Sequence, residues 1–443
     1  MKTDKNNFEK LPFMLFADDN GNIYDHPYYR MLGMSGPDTI TLKTKDLIPL
    51  PEFSKLFFIP HCPPVGLDPE TGKTVTVRKM EIEGAVSSCN AVAAFLEPGF
   101  VRSYLPAVDY SGKSLVLPSW AYGAVGFQKD RYFAAGFRIE YNHRWDPRNF
   151  DDRKLVPAIK KYRKKGEQGP LVEHLARCAA VNHCFAAKNL FFKRWEAPLP
   201  VSRRCNASCL GCISLQPGFS CEASHERIAF TPSRKEVVDL AVGHLERADD
   251  AIVSFGQGCE GEPLTEYELI TASIDEIRRN TGKGTINLNT NGSWPERVRT
   301  IAQSGLDSIR ISLNSAQERI YTAYYRPKGY RFEDVVKSLS LAKEMGLYVM
   351  INYLVFPGIT DTPEEMEALG KVICETGVNF IHLKNLCIDP QAYLHAIPGN
   401  RSSGIGMAQM ANVLKKEFPD LELGYFNQPV HLKHAKKTQF RPR

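Results

Sequence analysis

No stretch of this 443-residue chain approaches the ~20 consecutive apolar residues that span a bilayer. The N-terminal MKTDKNNFEKLPFMLF has no sustained apolar segment ahead of a small-residue cleavage site. The expectation is a soluble, cytoplasmic protein with no membrane partner. Strong charge of one sign is also missing: 56 basic against 50 acidic residues leave a formal +6, mild for this length, so no polyanionic partner is demanded. With 43% apolar and 24% charged residues, disordered and fibrous classes are excluded. No internal repeat or low-complexity tract stands out. A disulfide framework is not indicated either, because eleven cysteines is an odd number in a long chain without an export signal. Reduced thiols and metal ligation are the alternative to pursue.

The length allows two or three domains. Residues 1–150 carry short β-branched and aromatic runs (SKLFFIP, KTVTVRKMEI, KSLVLP, RYFAAGFRIEY) separated by turn residues such as DDNGN and DYSGK, the pattern of a β-rich domain. Residues 151–196 read as a basic linker (RKLVPAIKKYRKKG) followed by one helix over 171–192, with Leu171, Leu175, Cys178 and Val181 on one stripe. On that stripe Cys178 is read as core. Residues 197–430 alternate short apolar strands with amphipathic helices: LPVSRR, AIVSF, TINLNT, SIRISL, YVMINYLV, FIHLKN and LELGYF are the strands. Helices begin at Thr231-Pro232, Pro295 and Thr362-Pro363. This alternation implies an α/β domain with a parallel sheet, open or barrel-like, and function at the carboxyl ends of its strands. Residues 431–443 are a basic tail.

Just after the first of these strands, PLPVSRRCNASCLGC places Cys205, Cys209 and Cys212 in a C-x3-C-x2-C pattern. Three readings fit the spacing. The positions align on a helical face as buried small residues. They could hold structural zinc by recruiting Cys221 or His225 as a fourth ligand. Or they could bind a cubane iron-sulfur cluster that keeps one iron open. One loop supplying three thiolates at the mouth of a large α/β domain suits an open catalytic site better than the C-x2-C knuckles of small zinc modules.

The next strand ends in SFGQGCEGEPL, where Gly256, Gly258 and Gly261 form G-x-G-x-x-G, the dinucleotide fingerprint. Glu262 and Pro263 oppose that reading, because a pyrophosphate needs free amides and no carboxylate there. The following strand also ends in Asn289, Thr290 and Asn291, without the acid that holds a ribose diol. A glycine-flanked Glu262 suits an ammonium group better.

Over about residues 197–427 the sequence resembles the radical S-adenosylmethionine (radical SAM) superfamily. Cys205, Cys209 and Cys212 match the family's cluster-binding loop; Gly261, Glu262 and Pro263 match most of its G-G-E-P-like motif. Thr290 to Gly292 look like the third-strand motif, Ser312 to Asn314 like the fourth-strand S-L-D, and Asn385 like the SAM-contacting asparagine of the RNA-methylating branch. The resemblance implies a partial (β/α)6 barrel with a β-rich N-terminal accessory domain. It also implies one [4Fe-4S] cluster on the three cysteines, and SAM held by Gly261, Glu262, Thr290, Ser312, Asn314 and Asn385. The chemistry it implies is oxygen-sensitive reductive cleavage of SAM to a 5′-deoxyadenosyl radical that abstracts hydrogen from a small molecule, peptide or RNA. An external one-electron donor such as flavodoxin or ferredoxin is implied too.

The chain departs from the family in three places. Gly211 stands where an aromatic residue often packs on adenine, Glu260 replaces the first glycine of the second motif, and Asn314 replaces the aspartate. The resemblance assigns no catalytic side chain, and Tyr324, Tyr325 and Arg326 in YTAYYRPKGY are candidate substrate contacts. A zinc-stabilised nucleic-acid-binding protein and a nicotinamide-dependent oxidoreductase are the alternatives carried forward.

Overall fold

Strands and helices alternate after residue 195 in the computed structural model, which describes residues 8–164, 169–216, 221, 223–399 and 402–430. They build one parallel sheet of seven strands among the described residues, in sequence order: Glu196–Pro198, Ile252–Phe255, Thr285–Thr290, Ser308–Leu313, Tyr348–Val355, Phe380–Asn385 and Glu422–Gly424. The first and last strands each pair on one side only. Adding every strand to the same edge through right-handed crossovers puts all the helices on one face, which is how a barrel begins to close.

Side-chain alternation in these strands shows what the other face is for. A parallel sheet covered on both faces reads as continuous apolar runs. Here every second residue is polar: Asn287 and Asn289, Arg310 and Ser312, His382 and Lys384. Their apolar neighbours, among them Ile286, Leu288, Ile309, Ile311, Ile381 and Leu383, are fully buried in the main core with the helices. The polar set is cross-linked along the opposite face. Ser254 Oγ donates to Glu196 (2.7 Å), Asn287 Nδ2 to Ser254 Oγ (3.3 Å) and Ser308 Oγ to Asn287 Oδ1 (2.8 Å). Asn427, just past the last strand, donates to Glu196 (2.7 Å) and accepts from Arg310 (3.0 Å). Side chains from the first strand, the fourth strand and the segment after the seventh can meet only if the sheet curls, so this face is the concave interior of a partial barrel.

The strands TINLNT, SIRISL, YVMINYLV and FIHLKN stand where the sequence places them, and the helix after Thr362 is capped by that side chain on Glu365 N (3.4 Å). Other expectations are corrected. LPVSRR is not the first strand; Glu196–Pro198 is, and beyond it Leu199 N still bonds Ser254 O at 2.8 Å. The basic stretch after Asp152 is no linker. It forms the helix Leu155–Arg163, which buries Leu155, Ile159 and Tyr162 and turns its lysines outward. The single helix expected over 171–192 is two, Pro170–Ala180 and Phe185–Phe192, broken where His183 takes a positive φ of 50°. Val181 caps the end of the first helix and is exposed rather than on the buried stripe. The next helix is capped by Ser233, whose hydroxyl and the Glu236 carboxylate form a capping box, rather than by Thr231. The basic tail at 431–443 lies outside the described residues.

Residues 13–138 are antiparallel strands, most of them in a ten-stranded sheet. KSLVLP is not a strand. It runs across to the parallel sheet, where Lys113 pairs with Asp389 and Leu117 N donates to the same carboxylate (2.9 Å). The β-rich region docks along the carboxyl ends of the fifth, sixth and seventh strands. Gly36 N bonds Pro357 O (2.8 Å), Ile388 N bonds Trp120 O (3.1 Å), and Glu140 accepts from Tyr425 N and Phe426 N (2.7 and 3.0 Å). Gly358, at φ 80°, allows the closest approach, because a Cβ there would lie 2.7 Å from Gly36 Cα.

Behind the sheet, His244 of the helix Arg234–Leu245 is 3% exposed, and its Nε2–H donates to Trp195 O at 2.8 Å. Burial holds its pKa down at about 4, from 6.5. An unfolded histidine takes up a proton below about 6.5 and the folded one only near 4, so stability is lost as pH falls through that window, by about 3 kcal/mol in all. Urea midpoints measured from pH 7 to pH 4 should fall for the native chain and flatten for His244→Gln; an equal slope in both would refute this.

Candidate functional site

The loop carrying Cys205, Cys209 and Cys212 is held from three directions. From the second strand, Glu260 accepts hydrogen bonds from Val201 N and Ser202 N (2.8 and 3.0 Å) and from Gly256 N and Gln257 N (2.6 and 2.9 Å). The glutamate that replaces a family glycine is thus a buried clamp between the first two strand ends, with burial raising its pKa to about 7. Gly261 N then bonds Ser202 O (2.6 Å) and Glu262 N bonds Arg204 O (2.8 Å). From the third strand, Asn291 Nδ2 donates to Asn206 Oδ1 (2.8 Å). From the helix Glu318–Tyr325, Tyr325 O and Tyr324 O accept from Ser208 N and Leu210 N (both 3.0 Å).

Glu262 is 4% exposed. Its carboxylate accepts from Leu264 N (3.0 Å), Asn291 N (2.8 Å) and the Thr290 hydroxyl, and burial raises its pKa to about 7. Its charge reaches the Cys205 thiol, which burial first and Glu262 next push up to about 11. Cys209 is likewise raised well above the usual thiol range, by burial and by Cys205 and Cys212. Ionising Cys205 and Cys209 beside the carboxylate would crowd negative charge into one place, and a cationic group bound there would relieve it. The nearby cation is Arg227, with Nη2 3.5 Å from Cys212 Sγ.

The spread of the thiols distinguishes between ligands. Among the described residues the trio whose ligand atoms all lie within 4.8 Å is His174, Cys178 and Cys259, not the cysteine triplet. Tetrahedral zinc with ~2.3 Å bonds to sulfur needs its sulfurs under about 4 Å apart. The triplet is not among the groups drawn that close together, and a cubane takes its three thiolates from farther apart than a single ion does. Cys221, a candidate fourth zinc ligand, instead touches Ser119 at 3.7 Å.

The remaining sequence candidates are distributed unevenly. Gly261, Glu262 and Thr290 lie together beside Cys205. Ser312, on the polar face, accepts from Asn352 Nδ2 (3.2 Å). Asn314 is fully buried, donates to the Tyr393 hydroxyl (3.0 Å), and leaves its Oδ1 unpartnered. Asn385 stands at the end of the sixth strand, where its Nδ2 donates to Phe100 O (2.9 Å) and its Oδ1 accepts from Arg102 N (3.0 Å), tying that strand end to the N-terminal sheet. Tyr324 and Tyr325 are buried packing residues and Arg326 is exposed. Tyr324 also accounts for Gly211, since a Cβ at Gly211 would lie 2.9 Å from the Tyr324 hydroxyl. The aromatic surface beside the third cysteine comes from another helix.

Arg102 was not foreseen. It is 1% exposed, and its Nη2 donates to Leu386 O (2.8 Å) while Nε and Nη1 have no partner. Among the described residues no carboxylate pairs with it, and burial lowers its pKa to about 10. Its guanidinium lies 5.3 Å from the Phe356 ring, at the carboxyl ends of the fifth and sixth strands. The signals available in sequence were the polar alternation of the barrel strands and, for Arg102, none.

The Radical SAM superfamily profile matches residues 199–370. Residues 199–370 are a radical SAM domain. Among curated proteins, the chain is 27% identical over 201 residues to a probable GTP 3′,8-cyclase of Methanosarcina acetivorans, covering 44% of this chain and 55% of that one. It is 21% identical over 231 residues to the dual-specificity RNA methyltransferase RlmN of Anaeromyxobacter dehalogenans, covering 49% and 56%. The chain thus spans about half the length of the curated relatives it matches. Among solved structures, Streptococcus suis SuiB aligns at 12% identity with TM-score 0.38, over 71% of each chain. Members of the radical SAM family use a [4Fe-4S] cluster and SAM, and three thiols on one loop beside the Glu262 carboxylate are donors suited to that pair. No helix among the described residues is long and apolar enough to cross a membrane.

Proposed function

We propose that this chain is a radical SAM enzyme acting on a compact anionic substrate, with Cys205, Cys209 and Cys212 holding one [4Fe-4S] cluster. The observation that carries the reading is the cysteine loop itself, three thiols clamped over the strand ends next to a buried carboxylate. When bound, the cluster supplies one electron for reductive cleavage of SAM, and the 5′-deoxyadenosyl radical so released abstracts hydrogen from the substrate. Glu262 receives the ammonium group of SAM, and Thr290 and Asn291 N hold that carboxylate in place. Gly261 lets the backbone of the second strand end lie against Arg204. Ser312 and Asn314 are the polar groups offered by the fourth strand end. The N-terminal sheet covers the far side of the mouth and keeps water from the reacting centre. An external one-electron donor, a flavodoxin or ferredoxin, completes the reaction.

The anionic substrate follows from Arg102, whose unpartnered Nε and Nη1 are costly to bury unless a ligand pairs with them. A carboxylate or phosphate fits this fork geometry. The β-rich sheet packed against the strand ends favours a small molecule over RNA. Arg102→Met keeps the volume and removes the charge. It should melt at or above the native temperature, since the desolvation cost disappears. In thermal-shift titrations with small carboxylates and phosphates, at least one should stabilise the native protein and leave Arg102→Met unmoved. Equal shifts in both would remove Arg102 from the substrate site.

A further inference from the structure

A second set of metal-ligating side chains lies outside the cysteine triplet. His174 and Cys178 are four residues apart on the helix Pro170–Ala180, so they share a face, and Nε2 lies 3.6 Å from Sγ. Cys259, from the turn after the second parallel strand, brings its thiol into hydrogen-bonding contact with Cys178. The three ligand atoms lie within 4.8 Å of one another, and Cys178 and Cys259 are 1% and 4% exposed. His225 stands beside them: it acts electrostatically on Cys178, and its Cε1 is 3.8 Å from where a Cβ on Gly258 would sit.

Two thiols and one imidazole stand at this spacing, and with the imidazole of His225 on the neighbouring segment they supply the S2N2 donors that tetrahedral zinc prefers, with bonds of about 2.0 to 2.3 Å. A cubane needs its ligands farther apart. We propose that His174, Cys178, Cys259 and His225 bind one zinc ion. Its role is positional. Cys259 immediately precedes Glu260, Gly261 and Glu262; Ile228 N bonds Cys259 O (2.8 Å), and His225 N bonds Ile213 O just past the cysteine triplet (2.9 Å). A zinc ion there staples the helix Pro170–Ala180 and the 225–228 segment to the turn that leads into Glu262. The site is independent of the reading of the triplet, and its test separates the two.

The test is elemental analysis of the full-length chain, purified anaerobically and equilibrated with zinc chloride before desalting. The expected content is about one zinc per chain. It should persist when Cys205, Cys209 and Cys212 are all replaced by alanine, and fall to background in Cys178→Ser and Cys259→Ser. Because those serine variants could fail to fold, a second readout uses native ligands. The triple-alanine protein produced in cobalt-supplemented medium should show thiolate-to-cobalt charge transfer and the intense d–d bands of tetrahedral cobalt. Absence of zinc in the folded native chain would overturn the proposal. So would undiminished zinc in Cys178→Ser, or iron and sulfide in place of zinc in the triple-alanine protein.

Discussion

Alanine at Cys205, Cys209 or Cys212 lowers release of 5′-deoxyadenosine from SAM under dithionite by more than ~100-fold, beyond the loss typical of an outer neighbour of a metal. The native protein, reconstituted anaerobically, should carry about four irons per chain, as one cubane requires. Each variant should lose iron with activity, because an iron deprived of its thiolate has no anionic ligand. The fold should tolerate the change. The three side chains are only half-buried, and removing one sulfur should cost about 1 kcal/mol, the low end for a truncation that the surroundings can fill. The loop is held by Glu260, Asn291 and the Tyr324 and Tyr325 carbonyls, none of which the substitution touches. A variant that keeps its iron and still cleaves SAM would show that another residue ligates the cluster. A variant that unfolds would show that the thiols themselves stabilise the loop. The zinc measurement is unaffected by these outcomes, since its ligands lie on other elements.

Gly261→Ala is expected to destroy the site through the backbone rather than through chemistry. A Cβ at this position would lie 2.6 Å from the carbonyl carbon of Arg204 and closer still to its oxygen. These are main-chain atoms, so no side chain can swing away. Arg204 immediately precedes Cys205 and also accepts the Glu262 N–H at 2.8 Å. Relief of the clash must therefore push the cysteine loop off the second strand end and break that bond. Overpacking on this scale, combined with a lost buried hydrogen bond, should cost more than about 3 kcal/mol. The urea midpoint should fall and SAM cleavage should vanish together. Gly282→Ala is the matched control: nothing lies within 4 Å of its Cβ position, and it should stay within about 0.5 kcal/mol of native. Native-like stability and activity in Gly261→Ala would mean that the close approach of these two loops is not required.

Local chemistry alone determined much of this protein. Runs such as TINLNT and SIRISL, bounded by glycine, proline and polar turn residues, have little alternative to pairing as strands, and Thr362-Pro363 is a self-contained helix start. The cysteine triplet and Glu262 were legible for the same reason: each is a short-range pattern placed directly after a strand. Other features depended on partners remote in the chain. The LVPAIKKYR segment looked like a charged linker because its buried stripe, Leu155, Ile159 and Tyr162, is only three residues wide until the neighbouring helices cover it. KSLVLP has strand composition, but the Asp389 carboxylate draws it out of the sheet. Asn385 sits where the motif puts it, and the β-rich region decides that its amide bonds Phe100 and Arg102. Arg102 acquires meaning only when it is buried without a counter-ion, and Cys259 only when the fold sets it against Cys178. Propensity and spacing act within one element, whereas desolvation and ligand geometry act between elements that only the tertiary structure brings together.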